Sequence, residues 1–291
     1  MRIPYRIRQL VDRSYTASSI RSRIRYYVDP AYRRDPLIVY QMGKVGSEAL
    51  EASLLTCGLK RPLYRVHAMV ASNILEGLAQ AQTSPREYFR RSTTDFQGFH
   101  LGREIARDLY KHQWQVITMV RDPVAQNVSS FFQILDLLMP DFDRRLAADE
   151  IEIGELMALF VAHYPPDNVF LRWFDVELGA VFDIDVFAHP FPVEAGFGRI
   201  TLPHIDLLIL RLEDFDRVAS PAVGEFLGLS GFTLLAKNVA SQKRYHRLYE
   251  RFKAEAVFPA AYVEGVYGSR YAQHFYSESE RSLFRSRLRV A

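Results

Sequence analysis

Residues 36–47 of this 291-residue chain read Pro-Leu-Ile-Val-Tyr-Gln-Met-Gly-Lys-Val-Gly-Ser, and they decide the fold. The apolar run at 37–40 is typical of a buried strand, and it breaks into a short turn that contains two glycines and a lysine. From Ser47 onward the apolar residues have the spacing of an amphipathic helix, so we predict a helix that begins there. A strand, a glycine turn and a helix in this order are typical of an α/β protein.

The turn has the composition of an anion-binding loop. Gly43 and Gly46 allow the backbone to approach a ligand closely, so that several N–H groups can point at one oxyanion. The helix at Ser47 adds the positive end of its dipole, and Lys44 adds a full charge. Because the lysine lies between the glycines, the turn differs from the nucleotide-triphosphatase pattern, which ends in Gly-Lys-Ser/Thr. The alternative interpretation is a packing turn without a ligand.

A second strand-to-helix junction predicts a further anion contact. Residues 114–120 are typical of a buried strand, and Pro123 and Asp122 suit the first turn and the cap of the helix that follows. Arg121 therefore lies at the carboxyl end of a strand, where open α/β sheets bind their ligands. Ser129 follows two helical turns later. The alternative is that Arg121 pairs with Asp122 and that Ser129 has no role.

Strand and helix patterns alternate along the chain, which predicts a central parallel sheet with helices on both faces, a three-layer α/β/α arrangement. Residues 83–98 are polar and are predicted to be irregular, and residues from 183 onward form an extended excursion before a last core strand. The remaining predicted elements are strands at 63–67 and 207–210 and helices at 70–82, 101–112 and 142–163.

Composition predicts one domain with a basic extension. The chain is 48% hydrophobic and can bury a full core. Residues 1–35 contain nine arginines and three aspartates, although the whole chain has a net charge of only +3. We therefore predict an N-terminal extension at 1–35 and a domain at 36–291. The extension is a solvated lead-in segment or, alternatively, a contact with an anionic membrane surface or a polyanion; no specific nucleic-acid binding is expected.

Cysteine content and hydropathy predict the compartment. Cys57 is the only cysteine, so an internal disulfide is excluded and a reducing compartment is favoured; we expect Cys57 to be a buried packing residue. The chain has no apolar run of about eighteen residues, and we expect no signal peptide, because residues 1–35 lack an apolar core. We predict a cytoplasmic location. If the extension at 1–35 contacts a membrane, the protein is expected to lie peripherally at its inner face.

Together the two junctions resemble the sulfotransferases that use 3′-phosphoadenosine 5′-phosphosulfate (PAPS). In that family a strand-loop-helix of Lys-x-Gly-Ser/Thr character holds the 5′-phosphosulfate, and a later strand ends in Arg, with a Ser eight positions on, to hold the 3′-phosphate. Arg121 and Ser129 keep that interval, and residues 208–215 and 222–229 are similar to late signatures of the family. The resemblance implies that the 5′-phosphosulfate is held by Gly43, Lys44, Val45, Gly46 and Ser47.

The chain also looks like the bacterial sulfotransferases described as capsular polysaccharide synthesis proteins. These carry Tyr-Gln-Met-Gly-Lys-Val-Gly-Ser, present here at 40–47, and a C-terminal tract rich in Asn, Lys, Tyr and Ser, matched here over 238–277. Glu48 is a departure, because small hydroxylated residues are more usual there. The resemblance implies a P-loop-like sulfotransferase fold, PAPS as the donor, and a carbohydrate or similar hydroxylated acceptor. We expect no metal, because Lys44, Arg121 and backbone donors can neutralise the anions.

Sulfuryl transfer to a hydroxyl or amine needs a base, because the acceptor loses its proton as it attacks. His67 is the first candidate: it closes the predicted strand at 63–67, its imidazole titrates near neutrality, and the resembling family places its catalytic His or Glu just after the corresponding strand. His100 competes, Glu48 is a weaker candidate, and a structural hydrogen-bonded histidine is the alternative for both histidines. Lys44 is predicted to stabilise the leaving phosphate.

The late part of the chain predicts a lid and an aromatic cluster. Residues 237–245 are predicted to close over the 3′-phosphate with Ser241, Lys243 and Arg244 as donors, or alternatively to begin a helix with exposed charges. Glu213 and Asp214 are expected to be structural and to hold a loop or a basic side chain. Six tyrosines are predicted either to line a sugar-binding cleft or to pack in the core: Tyr245, Tyr249, Tyr262, Tyr267, Tyr271 and Tyr276.

Three function classes remain open at this point. The leading hypothesis is a PAPS-dependent sulfotransferase that acts on a carbohydrate or similar acceptor. A nucleotide kinase on the same loop architecture is the second, although the absence of Gly-Lys-Ser/Thr argues against it. The third is a non-catalytic anion-binding or membrane-peripheral module, which Glu48 favours. The identity of the acceptor is not encoded in any motif, since acceptor contacts come from variable loops.

Overall fold

A computed structural model describes residues 35–80, 93–235 and 244–291 of the chain. Their centre is a five-stranded sheet with the strand order β2-β1-β3-β5-β4, in which only β4 runs antiparallel to its neighbour. The mixed α/β class is therefore confirmed, with a mostly parallel sheet. The strands are β1 (Leu37–Tyr40), β2 (Leu63–Val66), β3 (Trp114–Val120), β4 (Phe197–Leu202) and β5 (Ile205–Arg211).

Helices connect and surround these strands, and a small parallel pair, β6 (Val257–Phe258) with β7 (Arg289–Val290), lies near the C-terminus. A π-helical turn at Phe174–Gly179 follows α7. The helices are α1 (Ser47–Thr56), α2 (Ala71–Gln80), α3 (Thr93–Asp108), α4 (Pro123–Leu138), α5 (Phe142–Ala147), α6 (Ile153–His163), α7 (Val169–Trp173), α8 (Ala180–Phe182), α9 (Phe215–Leu227), α10 (His246–Glu255), α11 (Ala260–Tyr267), α12 (Arg270–Phe275) and α13 (Glu278–Ser286).

The central strand β3 and the start of α1 agree with the sequence predictions, but several other boundaries do not. Residues 93–98, predicted to be irregular, belong to α3, so His100, which directly precedes the helix predicted at 101–112, lies inside α3. The predicted helix at 142–163 is divided into α5 and α6. Strand β4 was not predicted, because it is an edge strand with one buried face and lies in a segment whose prolines and glycines indicate a loop.

Parallel pairing aligns the carboxyl ends of four strands at one edge of the sheet. Tyr40 at the end of β1 pairs with Val66 of β2, and Val39 pairs with Ile117 of β3. Val120 at the end of β3 pairs with Arg211 of β5. The residues that follow these strands therefore lie at similar heights at this edge of the sheet, where open α/β sheets bind their ligands.

The core has an apolar sheet at its centre and an aromatic cluster beside it. Every residue of β5 is buried, as expected for a strand covered on both faces. Phe131 of α4 packs edge to face against Phe132 and against Phe160 of α6, and both α4 rings contact Phe252 of α10. Cys57 is partly buried and packs against this core, and its thiol donates to the carbonyl of Leu54 at 3.2 Å. Of the helices in the described ranges, none combines the length and hydrophobicity that a bilayer crossing requires.

Helix α3 approaches the segment after β2 with its backbone in close contact. A Cβ added to Gly98 would lie 1.9 Å from the carbonyl oxygen of Ala68, and one added to Gly102 would lie 2.4 Å from that of Met69. These glycines are four residues apart and so share one face of the helix. Their missing side chains allow α3 to pack directly against residues 68–69, and this packing fixes the position of the chain just beyond β2.

Replacement of Gly98 by alanine is expected to lower the free energy of unfolding by about 1–3 kcal/mol, because the new methyl group overlaps a backbone carbonyl that cannot rotate away. Gly154 of α6 is the matched control, since no described atom lies within 4 Å of a Cβ added there. Gly154→Ala should leave stability unchanged or raise it by up to about 1 kcal/mol through higher helix propensity. Urea unfolding measures both variants, and equal stability of the two would contradict the close contact at Ala68.

Candidate functional site

The turn between β1 and α1, which the sequence predicts to bind an anion, has two residues in the left-handed backbone region just before a helix. Lys44 and Gly46 both adopt left-handed backbone angles, with φ of 70° and 87°. Gly46 is favoured by its backbone angle. An added Cβ would also lie 2.6 Å from Cδ1 of Leu212, so the leucine side chain would have to shift. Ser47 is buried and is the first residue of α1, whose N-terminus carries the positive end of the helix dipole.

Gly43 differs from Gly46, because neither conformation nor packing accounts for the missing side chain. Its φ is outside the left-handed region, and no described atom lies within 4 Å of a Cβ built on it. The backbone therefore borders open space within the described part of the chain. A ligand at this position would reach the backbone more closely than it would beside a side chain.

The two predicted anion-binding junctions are adjacent. Nη1 of Arg121 donates a hydrogen bond to the carbonyl oxygen of Lys44 at 3.0 Å. Nε2 of Gln126, on the first turn of α4, donates to the carbonyl oxygen of Gly43 at 3.0 Å. Both bonds satisfy carbonyl oxygens of the loop and hold it against the end of β3 and the start of α4. A left-handed conformation at a lysine costs free energy, and these contacts offset part of it.

Buried tyrosines of the C-terminal helices hold the Arg121 junction in place. The hydroxyl of Tyr271 accepts from the backbone N–H of Arg121 at 3.0 Å and donates to its carbonyl oxygen at 2.9 Å. The hydroxyl of Tyr267 donates to Oδ1 of Asp122 at 2.9 Å. The same oxygen accepts from the N–H of Val124 at 3.1 Å, so the predicted helix cap at Asp122 is confirmed.

Glu213 completes this support from the end of β5. One carboxylate oxygen accepts from the N–H of Asp122 at 2.7 Å, and the other accepts from the hydroxyl of Tyr276 at 3.0 Å. Burial raises the pKa of both Glu213 and Asp122, because the charged carboxylates lose solvation. The predicted structural role of Glu213 is confirmed. So is that of Asp214, whose carboxylate binds the guanidinium groups of Arg211 and Arg217.

Of the two interpretations of the six tyrosines, packing in the core holds for four of them. Tyr267, Tyr271 and Tyr276 are fully buried, and their hydroxyls bond to residues 121, 122 and 213 as described above. Tyr262 is also buried, and its hydroxyl accepts from Nδ2 of Asn127 at 2.9 Å. Tyr245 and Tyr249 are partly buried and pack against the ring of Phe132. The core-packing alternative therefore describes this cluster.

His67 lies beside the loop, directly after β2. Its Nδ1 is 3.0 Å from the carbonyl oxygen of Gln41 and 3.0 Å from Nε2 of the same residue. Nε1 of Trp173 donates to the carbonyl oxygen of His67 at 3.0 Å and so holds its backbone. His100 is placed differently, because it lies two residues from Gly98 and Gly102 and therefore on another face of α3. Glu48 is exposed in the first turn of α1.

The remaining predicted site residues are less closely associated with the loop. Ser129 is partly buried on α4, and no hydrogen bond joins its side chain to Arg121 in the described part of the chain. Ser241 and Lys243, with most of the predicted lid, lie outside the described residues. Arg244 is exposed, forms an ion pair with Asp143, and lies over the ring of Phe142, so its contacts are with α5.

Glu177, which the sequence analysis did not identify, is distant in sequence from the candidate site but holds the backbone just after His67. Its buried carboxylate accepts from the hydroxyl of Tyr40 and from the N–H groups of Met69 and Val70 at 2.8 and 3.2 Å. Nδ2 of Asn73 donates to it at 2.8 Å. Burial and the neighbouring carboxylate raise the pKa of Tyr40. No local pattern signals this role, because Glu177 is more than 100 residues from each of these partners in sequence.

Comparison with known protein families matches part of the chain to one family profile. Residues 163–277 match the profile of the family described as "Putative capsular polysaccharide synthesis protein", which is 115 of the 291 residues. The matched segment contains Trp173, Glu177, Glu213 and the four buried tyrosines, whereas the loop, His67 and Arg121 precede it. None of the curated proteins and none of the solved structures matches the chain.

Removal of the Tyr271 hydroxyl should loosen the Arg121 junction specifically. In Tyr271→Phe the N–H of Arg121 loses its acceptor, so we expect its amide hydrogen to exchange about tenfold faster or more, the effect of one lost buried hydrogen bond. Tyr262→Phe is the matched control, because it also removes a buried tyrosine hydroxyl but one that bonds to Asn127. Hydrogen exchange of a peptide spanning residues 119–124 measures the effect. Equal exchange in the two variants would contradict a specific role for Tyr271.

Proposed function

We propose that this protein is a PAPS-dependent sulfotransferase that transfers a sulfuryl group to a hydroxyl or amine of a carbohydrate or similar acceptor. The observation that carries the proposal is the bond between the guanidinium of Arg121 and the carbonyl of Lys44 at 3.0 Å. It brings together a loop suited to one phosphate and an arginine suited to another. A nucleotide with phosphate groups at both ends of its ribose needs two such cationic contacts close to each other.

The residues present fit the two ends of such a donor. The backbone of the loop, the hydroxyl of Ser47 and the ammonium of Lys44 would hold the 5′-phosphosulfate at the N-terminus of α1. Open space beside Gly43 leaves room for that group next to the backbone. Arg121, and Ser129 farther along α4, would hold the 3′-phosphate; Arg121 offers a guanidinium fork whose planar donors match phosphate oxygens.

Catalysis would need the donor and two side chains, Lys44 and His67, together with backbone N–H groups of the loop. Bound PAPS supplies the sulfuryl group, which leaves its phosphate oxygen as it bonds to the acceptor oxygen or nitrogen. Lys44 would neutralise the charge that grows on the released phosphate oxygen, together with loop N–H groups. His67 would take the proton that the acceptor loses. His67 is preferred over His100 because the former contacts the loop through Gln41, whereas the latter lies on α3.

The proposed acceptor class rests on the family match. A family described as capsular polysaccharide synthesis proteins supports a glycan-related role for this chain. The same match supports a transferase. A sulfotransferase-like α/β fold at 36–291 is also part of the proposal, and the mostly parallel central sheet supports it. A cytoplasmic location, with the basic segment at 1–35 in contact with a membrane face or a polyanionic acceptor, remains part of the proposal.

Two other functions use the same loop. A nucleotide kinase would bind ATP with magnesium at residues 41–47, although the position of Lys44 between the glycines argues against it. A non-catalytic anion-binding or membrane-peripheral module would bind the nucleotide without turnover, and the exposed carboxylate of Glu48 beside the loop is the feature that favours it.

Isothermal calorimetry with adenosine 3′,5′-bisphosphate tests the proposed donor. Wild-type protein should bind it, and Arg121→Ala should weaken binding by about 1.5–3 kcal/mol, tenfold or more, through loss of a charge-assisted phosphate contact. Arg144→Ala is the control, because that arginine pairs with Asp141 and Glu150 beside α5. If the wild type binds ATP but not the bisphosphate, the kinase alternative replaces this proposal.

Substitution of the two candidate bases distinguishes their roles. His67→Gln should lower the rate of sulfuryl transfer from PAPS by about 10²–10⁴-fold, the usual contribution of a general base, and leave the affinity for the bisphosphate nearly unchanged. His100→Gln should retain most of the rate. Turnover assays on a panel of sugars, combined with calorimetry, measure both effects. Parallel loss of binding and turnover in His67→Gln would mean that His67 is structural.

A further inference from the structure

Gln41 is a fully buried residue that contacts both the anion-binding loop and the candidate base. Its Nε2 donates to Oγ of Ser47 at 2.9 Å and lies 3.0 Å from Nδ1 of His67. Its backbone carbonyl oxygen is also 3.0 Å from that Nδ1. Its side-chain oxygen is buried without a partner among the described residues. One residue thus joins the first residue of α1 to the imidazole that follows β2.

The two contacts at Nδ1 of His67 correspond to two neutral forms of the ring. When Nδ1 carries the proton, it donates to the carbonyl oxygen of Gln41, and Nε2 has the lone pair that a base needs. When Nδ1 lacks the proton, it accepts from the amide of Gln41, and the proton is on Nε2. The amide and the carbonyl of one residue therefore favour opposite tautomers.

We propose that Gln41 is a positioning residue that couples occupation of the anion site to the protonation state of His67. The amide nitrogen of Gln41 has two hydrogens, one for Ser47 and one for His67. Because Ser47 Oγ accepts from this amide, its own hydrogen is available to donate to an anion at the start of α1. The inference rests on the proposed function for the identity of that anion and for the reaction.

The coupling follows from polarisation along the chain of hydrogen bonds. When the hydroxyl of Ser47 donates to an anion, its oxygen becomes a stronger acceptor and draws the amide of Gln41 toward it. The amide bond to Nδ1 of His67 weakens, and Nδ1 instead takes a proton and donates to the carbonyl. The ring stays neutral, because water gives a proton to Nδ1 and takes one from Nε2. His67 would thus become a competent base at Nε2 when the donor is bound.

Nitrogen NMR of the histidine side chains tests the inference in the full chain without any ligand. The signals of His67 are assigned by their loss in His67→Gln. Gln41→Met removes the amide and keeps the backbone carbonyl, so the ratio of the Nδ1–H to the Nε2–H tautomer should rise about two- to fivefold, the effect of one neutral hydrogen bond. An unchanged or lower ratio would overturn the inference.

Gln126→Met is the matched control for the loss of a buried glutamine. Gln126 is equally buried, and its amide also donates to the loop, but at the carbonyl oxygen of Gly43. The tautomer ratio of His67 should not change in this variant. An equal change in Gln41→Met and Gln126→Met would mean that a general loosening of the loop, and not the amide of Gln41, moves the ratio.

Ser47→Ala provides a milder variant in case the substitution of Gln41 disturbs folding. It retains Gln41 and places a good helix former at the start of α1. Without Oγ of Ser47 nothing draws the amide of Gln41 away from Nδ1 of His67, so the Nδ1–H fraction of His67 should fall, opposite to the change in Gln41→Met. No change in Ser47→Ala would show that Ser47 is not coupled to His67.

Titration with adenosine 3′,5′-bisphosphate separates this inference from the proposed function. In wild-type protein the bisphosphate should shift His67 toward the Nδ1–H form, and in Gln41→Met it should produce little further shift. If the wild type does not bind the bisphosphate, the proposed function fails, while the measurements on unliganded variants still decide the role of Gln41. If it binds and the ratio stays constant, the coupling is overturned and the proposed function stands.

Discussion

The site depends on the position of β1 between β2 and β3 with both neighbours parallel to it. Parallel strands present their carboxyl ends at the same edge, so the chain beyond each of them emerges close to the other two. The turn after β1 therefore meets His67 on one side and Arg121 on the other. An antiparallel partner on either side would have placed the corresponding residue at the opposite edge, and no local change in the loop would compensate.

The segment at 163–277, which matches the family profile, supplies side chains that hold the backbone around the candidate site. Within the described residues, Trp173 and Glu177 hold the chain after β2, while Glu213 and buried tyrosine hydroxyls hold the chain after β3. Both groups bond mainly to backbone N–H and C=O groups of the site. A buried backbone group without a partner is costly, so these contacts fix the loops in one conformation. The segment that matches the family profile thus supports the candidate site, whose loop, His67 and Arg121 precede it in sequence.

Short-range signals were sufficient for several elements, and they failed where a partner is distant in sequence. The strand at 114–120, the cap at Asp122 and the helix start at Ser47 follow from local hydropathy and backbone chemistry. Residues 93–98 were predicted to be irregular because they are polar, and the contact of Gly98 with Ala68 that holds this part of α3 has no local signal. Tyr271 was recognised as an aromatic residue, but the bonds of its hydroxyl to Arg121 span 150 positions of the chain.

By itself, the sequence determined the α/β class, the two strand-to-helix junctions and the residue types that suit an anion, because each of these depends on neighbours within a few positions. Only the tertiary structure decided that the junctions are adjacent, that Gln41 links Ser47 to His67, and that His100 lies on a separate helix face. The physical reason is that hydrogen bonds and packing contacts depend on distances of a few ångströms in space and not on separation along the chain. Strand order and register convert those distant positions into neighbours, and neither can be deduced from local periodicity.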